Sequence, residues 1–160
     1  MFIEIQQTTE DIKVLKKYIS QIKSPNCYLE IGTFQGGTAL LAKMITDEVY
    51  SVDSQPQRDP DFNDNLEIGF ITKTSEEAVK DWTKSIGVLF IDGNHNEVKK
   101  DFELWEKFVA KGGYILIHDY TKNQERIVED CKEIMKNPNY KIFYTPEVED
   151  RTSILQLQKL

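Results

Sequence analysis

Two spacings of apolar residues alternate along the chain. In residues 9–23, TEDIKVLKKYISQIK, Ile12, Leu15, Ile19 and Ile22 recur at three- and four-residue steps, which predicts an amphipathic helix with Thr8 or Thr9 as its N-cap. SPN at 24–26 ends it. CYLEI at 27–31 predicts a strand, QGGTALLAKMI at 35–45 a helix, and EVYSVD at 48–53 a second short strand closing on an acid. Residues 54–65, with two prolines and three aspartates, read as a loop where a regular repeat would place a helix. LEIGFITKT at 66–74 predicts a third strand. SEEAVKDW at 75–82 predicts a helix capped by Ser75, with acids in its first turn as the helix dipole prefers. The unbroken apolar run in IGVLFIDG at 86–93 is that of a central parallel strand. NEVKKDFELWEKFVAK at 96–111 carries Val98, Phe102, Trp105, Phe108 and Val109 on one side and predicts a helix with Gly112–Gly113 as its C-cap. YILIHDY at 114–120 and NQERIVEDCKEIMK at 123–136 add a fifth strand and its helix. YKIFYTP at 140–146 and TSILQLQKL at 152–160 are separated by too few residues for a crossover helix, so they predict an antiparallel hairpin.

One helix, five strand–helix units and a closing hairpin define an α/β chain. The expected fold is a doubly wound, Rossmann-like, mostly parallel seven-stranded sheet with an antiparallel C-terminal hairpin. The whole of 1–160 reads as one domain, with 1–25 a helical extension before the first strand. Ligands of such sheets bind beyond the carboxyl ends of the strands, where strand order reverses.

Composition narrows the partners. The 39% hydrophobic content is that of a folded globular chain, and the net charge of −7 offers no footprint for a nucleic-acid backbone. Lys99 and Lys100 alternate with acids and read as a solvated helix face. The N-terminus lacks a basic region followed by an apolar core, and no run approaches the roughly 20 residues of a membrane span. Cys27 and Cys131 do not make a disulfide framework. The expectation is a cytoplasmic protein with a small-molecule partner, neither nucleic acid nor membrane.

The glycine turn after the first strand, within YLEIGTFQGGT at 28–38, suggests a nucleotide. It does not fit the dinucleotide pattern G-x-G-x-x-G: counted from Gly32, the second glycine falls on Phe34, whose side chain would block a pyrophosphate. A glycine turn can also serve strand–helix packing alone. Asp53, ending the next strand, is placed to accept hydrogen bonds from both ribose hydroxyls, so turn and acid together point to an adenosine-type ligand without a diphosphate.

LEIGTFQGGTALLA, SVDS and VLFIDGNHNEVKKDFELWEKFVAKGGYILIHDY resemble the class I S-adenosylmethionine-dependent methyltransferases. The similarity is greatest to the small-molecule O-methyltransferase branch that includes macrocin-type sugar methyltransferases and cephalosporin-hydroxylase-like proteins, and it spans residues 26–120. It implies that Glu30, Gly32 and Gly36 shape the cofactor turn and that the backbone of Thr33, Phe34 and Gly37 approaches the methionine moiety. It further implies that Asp53 binds the ribose, that Thr74 and Ser75 meet the adenine, and that Asp92 borders the cofactor. The chain lacks the acid that relatives often carry near Thr74.

Both histidines of the chain fall at strand ends. Adjacent fourth and fifth strands, about 4.8 Å apart, bring Asp92, His118 and Asp119 onto one patch. In one reading these three hold Mg²⁺ or another divalent cation. In the other, His95 alone deprotonates an acceptor hydroxyl. The two combine, since a cation acidifies the hydroxyl while His95 takes its proton. The resemblance supports the combination, with Asp92 and His95 catalytic and Asp92, His118 and Asp119 metal-binding, a histidine replacing one usual acid. Against this stands the plain reading of each histidine as a surface or hydrogen-bonding residue, and of Asp92 as a turn aspartate before Gly93. Trp82, Trp105 and Phe108 read as core anchors, and Tyr120 as a lining residue of the acceptor pocket. The function expected is O-methylation of a small hydroxylated acceptor, a sugar or a phenol, by a protein that could be a homodimer. The alternative is a cofactor-binding module without transfer activity, and a nucleotide-dependent oxidoreductase is disfavoured by Phe34.

Overall fold

The computed structural model describes residues 5–57, 66–147 and 152–160. The expectations for 58–65 within the loop and for the link at 148–151 lie outside them, as do residues 1–4 of the N-terminal extension. The elements are α1 (Thr9–Ile19), β1 (Cys27–Ile31), α2 (Gly37–Lys43), β2 (Val49–Val52), β3 (Gly69–Ile71), α3 (Ser75–Ala78), β4 (Ile86–Ile91), α4 (Val98–Trp105), β5 (Val109–Ile117), α5 (Glu125–Ile134), β6 (Tyr140–Tyr144) and β7 (Leu155–Lys159). Seven strands form one sheet in the order β3-β2-β1-β4-β5-β7-β6, with β7 antiparallel to both its neighbours and every other pairing parallel. The doubly wound sheet with its antiparallel hairpin is therefore present. No helix among the described residues is long and apolar enough to cross a membrane.

Both faces of the sheet are covered, which is why its central strands carry unbroken apolar runs. In β1 the alternate residues Cys27, Leu29 and Ile31 join the core under α3, α4 and α5, where Trp82 and Trp105 meet edge to face at 5.4 Å. Tyr28 joins the opposite core with Leu15, Tyr18 and Ile19 of α1 and Ala39 and Leu41 of α2. The expected core role of the two tryptophans holds. Both cysteines are buried free thiols, pushed up to about 12 by burial.

Three local expectations are corrected. Thr74, not Ser75, caps α3: its hydroxyl accepts from the Glu77 N–H while the Glu77 carboxylate accepts from the Thr74 N–H, a reciprocal box that fixes the start one residue earlier. The α4 helix stops at Trp105, one 3₁₀ turn follows at 106–108, and Gly112–Gly113 lie inside β5 instead of capping a helix. Between the pairs Ile86↔Val109 and Val88↔Tyr114 the fifth strand bulges, and a β-carbon on Gly113 would stand 2.9 Å from the Ala110 carbonyl oxygen. These glycines serve a bulge, which periodicity cannot tell from a helix end. Tyr120, expected in the acceptor pocket, packs against the apolar core and does not line the cavity.

Candidate active site at the strand ends

The backbone sets the level of the site. Gly32 donates to the Val52 carbonyl, Asp92 to that of Ile31, and His118 to that of Ile91, so the first residues beyond β1, β4 and β5 emerge side by side. Strand order reverses between β1 and β4, and a cavity of about 770 Å³ opens there, within the range of small-molecule sites. Its walls include Gly32, Thr33, Phe34, Gly37, Asp53, Thr74, Ser75, Asp92, His95, His118 and Asp119. Of the residues expected at the site, Glu30 and Gly36 stand outside the lining, as does Tyr120.

The glycine turn owes its shape to close approach. Gly32 has φ +101°, and a β-carbon there would lie 2.3 Å from the Asp92 carbonyl oxygen. Gly36, at φ 82°, bends the chain into α2, its N–H donating to the Thr33 carbonyl at 2.7 Å. Asp53 fastens the turn from the next strand: one carboxylate oxygen accepts from the N–H groups of Thr33 and Phe34 at 2.9 and 3.3 Å, the other from Gln55 at 2.8 Å. A carboxylate has about four lone-pair sites, so capacity remains toward the cavity. Beneath the turn lies the fully buried Glu30, opposite Ser51 in the β1–β2 register. It accepts from Ser51 Oγ at 2.7 Å and Tyr28 Oη at 3.0 Å, and Ser51 in turn shares a 2.6 Å hydrogen bond with Thr33 Oγ1. Burial pushes Glu30 up to about 8, the hydroxyl donors only partly offsetting it. Glu30 thus supports the turn from inside the fold.

At the other end, Asp92, His118 and Asp119 present ligand atoms within 4.8 Å of one another. His118 Nδ1 is 2.8 Å from Asp92 Oδ1 and 3.4 Å from Asp119 Oδ1, while Nε2 faces Asp11 Oδ2 at 3.5 Å. Burial opposes charge on this ring, yet its interactions with Asp11, Asp119 and Asp92 raise it to about 12, so without a bound cation it carries the local positive charge itself. In Asp119 hydrogen bonding to His118 lowers the carboxyl. Its second oxygen, Oδ2, lies 3.0 Å from His95 Nε2, on a ring that is nearly half exposed. An octahedral cation at about 2.1 Å from its ligands spaces adjacent donors by roughly 3 Å. The two Nδ1–carboxylate distances bracket that spacing, the shorter being a hydrogen bond, so these residues fit a divalent ion that would replace the Nδ1 proton.

Several residues here escape sequence reasoning. Gln7, ahead of α1, reaches over the strand ends and donates to Asp92 Oδ2 at 2.6 Å. Asp11 is fully buried against His118. Its place three residues after Thr8 marks a capping box, which is legible, but its burial is not. Asp101 on α4 brings a buried carboxyl to Ser75 in the cavity wall; burial pushes it up to about 6.

The comparisons agree with this fold. A family model described as a methyltransferase domain matches residues 29–120. The uncharacterized protein R132 of Acanthamoeba polyphaga mimivirus is 31% identical over 112 residues, covering 58% of this chain and 51% of the viral protein, so the chain spans about half the length of that curated relative. An O-methyltransferase from Bacillus cereus, crystallised with SAH, matches with a TM-score of 0.76 at 12% identity, over 100% of this chain and 84% of the other. The methyltransferase PaMTH1 of Podospora anserina, bound to SAH, gives 0.76 at 12% identity over 97% and 80%. An rRNA methylase from Streptococcus thermophilus gives 0.71 at 14% identity over 98% and 99%. At such identities the likeness is one of fold, shared by proteins with different acceptors. The family match covers more than half the chain and contains the glycine turn, Asp53 and the strand-end cluster: the chain belongs to the methyltransferase-domain family.

Proposed function

We propose that this protein transfers a methyl group from S-adenosylmethionine to a hydroxyl of a small, polyhydroxylated acceptor, with a divalent cation at Asp92, His118 and Asp119. The observation that carries the reading is one cavity walled at one end by the Asp53-fastened glycine turn and at the other by the Asp92–His118–Asp119–His95 cluster. Solved relatives in complex with SAH, the demethylated product of that donor, support the choice of cofactor. Carboxylates line the cavity at Asp53, Glu76, Asp92, Glu97, Asp101 and Asp119. Such a wall attracts a sulfonium and repels a phosphate backbone, which favours a small acceptor over RNA. Phe34 is the one Phe, Tyr or Trp side chain among the described lining residues, beside the imidazoles of His95 and His118, against the amides of Gln6, Gln7, Gln55, Gln57 and Asn94. A phenol would find little to stack on, whereas a sugar would find hydrogen bonds.

The cofactor supplies a methyl group already bonded to a good leaving group, so the protein has to align the acceptor oxygen and take up its proton. A cation at the cluster supplies acidification of that hydroxyl. Asp53 would hold the ribose and the Thr33–Gly37 backbone the methionine moiety, with Ser75 and Asp101 at the adenine side. His95 donates Nε2–H to Asp119 Oδ2, which leaves Nδ1 to accept the acceptor's proton. Asp119 thereby divides its oxygens, Oδ1 toward the cation position and Oδ2 toward the base. Gln7 holds Asp92 from the acceptor side.

Calorimetry with S-adenosylmethionine and its demethylated product tests the first half of this reading, and an absence of heat overturns it. His95→Ala tests the second half: it should retain cofactor affinity and lose about 10²- to 10⁴-fold in kcat on a sugar and polyphenol panel. Wild-type protein that binds the cofactor tightly and methylates no hydroxylated acceptor is instead a cofactor-binding module.

A further inference from the structure

We infer that Asp11, on the N-terminal helix, is a positioning residue that sets His118 to ligate a divalent cation through Nδ1; the inference rests on the metal-assisted reading above. Asp11 cannot itself be a ligand, being fully buried on the far side of the ring. Both of its oxygens are held by donors from opposite ends of the chain. Oδ2 accepts from the Thr8 N–H at 3.1 Å and Thr8 Oγ at 2.7 Å, at the start of α1. Oδ1 accepts from Thr152 Oγ at 2.7 Å and the Ser153 N–H at 3.0 Å, on the approach to β7. A carboxylate tied at four points cannot swing away, and the face it turns to His118 Nε2 at 3.5 Å is acceptor-only. A neutral imidazole has one ring proton. Nδ1 is hydrogen-bonded to Asp92 Oδ1 at 2.8 Å and lies 3.4 Å from Asp119 Oδ1; a cation entering there would displace the Nδ1 proton, and opposite Asp11 the one remaining ring proton would stay on Nε2. A carboxylate behind a histidine, fixing its tautomer and rotation while the other nitrogen meets a cation, is the recurring outer-sphere arrangement of metal sites. Segments outside the matched family region thus complete a site whose ligands lie within it.

The test is Asp11→Asn in the full chain. The asparagine oxygen can keep the Thr152 and Ser153 donors, while its amide N–H donates to Nε2, moves the ring proton to Nδ1 and leaves no lone pair there for a cation. Mn²⁺ affinity, read by electron paramagnetic resonance of the free ion, should fall about 10- to 100-fold. S-adenosylmethionine affinity should stay within about twofold by calorimetry. In Mg²⁺-saturated samples, ¹⁵N–¹H spectra of the histidine ring should report Nε2–H in wild type and Nδ1–H in the variant, a signature that mere packing would not move. Equal Mn²⁺ affinity in wild type and Asp11→Asn, with His118→Ala clearly weakened, overturns the inference and leaves the metal reading standing. A wild-type protein that binds no Mn²⁺ at millimolar concentration, or a His118→Ala variant with unchanged affinity, overturns both. If Asp11→Asn does not fold, Thr152→Val removes one tether and keeps the carboxylate. A several-fold loss of Mn²⁺ affinity at unchanged cofactor affinity supports the inference, and no loss overturns it.

Discussion

Replacing Gly32 by alanine measures how closely β1 and β4 approach beneath the cofactor turn, and Gly112→Ala supplies the reference. Both glycines have positive φ, +101° and +79°, so an alanine at either carries the left-handed penalty of roughly 1–2 kcal/mol. They differ in surroundings. A β-carbon on Gly112 meets nothing within 4 Å, whereas one on Gly32 falls 2.3 Å from the Asp92 carbonyl oxygen and 2.9 Å from the Gly93 α-carbon. The first distance is about 1 Å inside ordinary van der Waals contact, and the obstructing atoms are backbone. Overpacking of this kind adds about 1–3 kcal/mol. The expected losses are therefore about 1–2 kcal/mol for Gly112→Ala and about 2–5 kcal/mol for Gly32→Ala. With a urea m-value of about 2 kcal/mol/M the two midpoints should separate by about 1 M. Because the shift moves Asp92 and the turn together, Gly32→Ala should also lose cofactor binding by calorimetry, while Gly112→Ala retains it. Coincident urea midpoints would refute the claim that contact between strand ends, over and above backbone conformation, demands glycine at 32.

Glu30→Gln tests the buried carboxyl. Because its folded pKa of about 8 lies above its ordinary 4.5, the native state holds a proton that the unfolded chain releases, so stability falls as pH rises between those values, by on the order of 5 kcal/mol. The glutamine variant should show a flatter urea midpoint between about pH 5.5 and 8.5 and exceed wild type at the upper end; an unchanged slope counts against a buried, protonated Glu30. Asp53→Ala strands the N–H groups of Thr33, Phe34 and Gln55, and S-adenosylmethionine affinity should drop at least about tenfold, roughly 1.4 kcal/mol. An unaltered dissociation constant removes Asp53 from the proposed cofactor grip.

The sheet was legible because burial of both faces writes itself into local composition, as in IGVLFI, and because glycine marks a backbone need that one residue type meets, as at Gly32. The cluster at Asp92, His118 and Asp119 follows from the same logic, since parallel neighbours end at one level. What stayed hidden depends on pairing across long separations. Asp11 meets Thr152 and Ser153 about 140 positions away, and Gln7 meets Asp92 across 85. No periodicity records such meetings. The glycines at 112 and 113 misled because a helix end and a strand bulge ask for the same freedom, and only the register with β4 separates them.

Strand β7 lies between β5 and β6, although it follows both in the chain. During synthesis, therefore, every residue of the strand-end cluster and all of β6 leave the ribosome before the strand that bridges them. Until Leu155–Lys159 emerge, β5 has a bare edge and β6 has nothing to pair with. A nascent chain stalled just short of this strand should accordingly be protease-sensitive and deaf to the cofactor, then become resistant and responsive within the few residues that insert it.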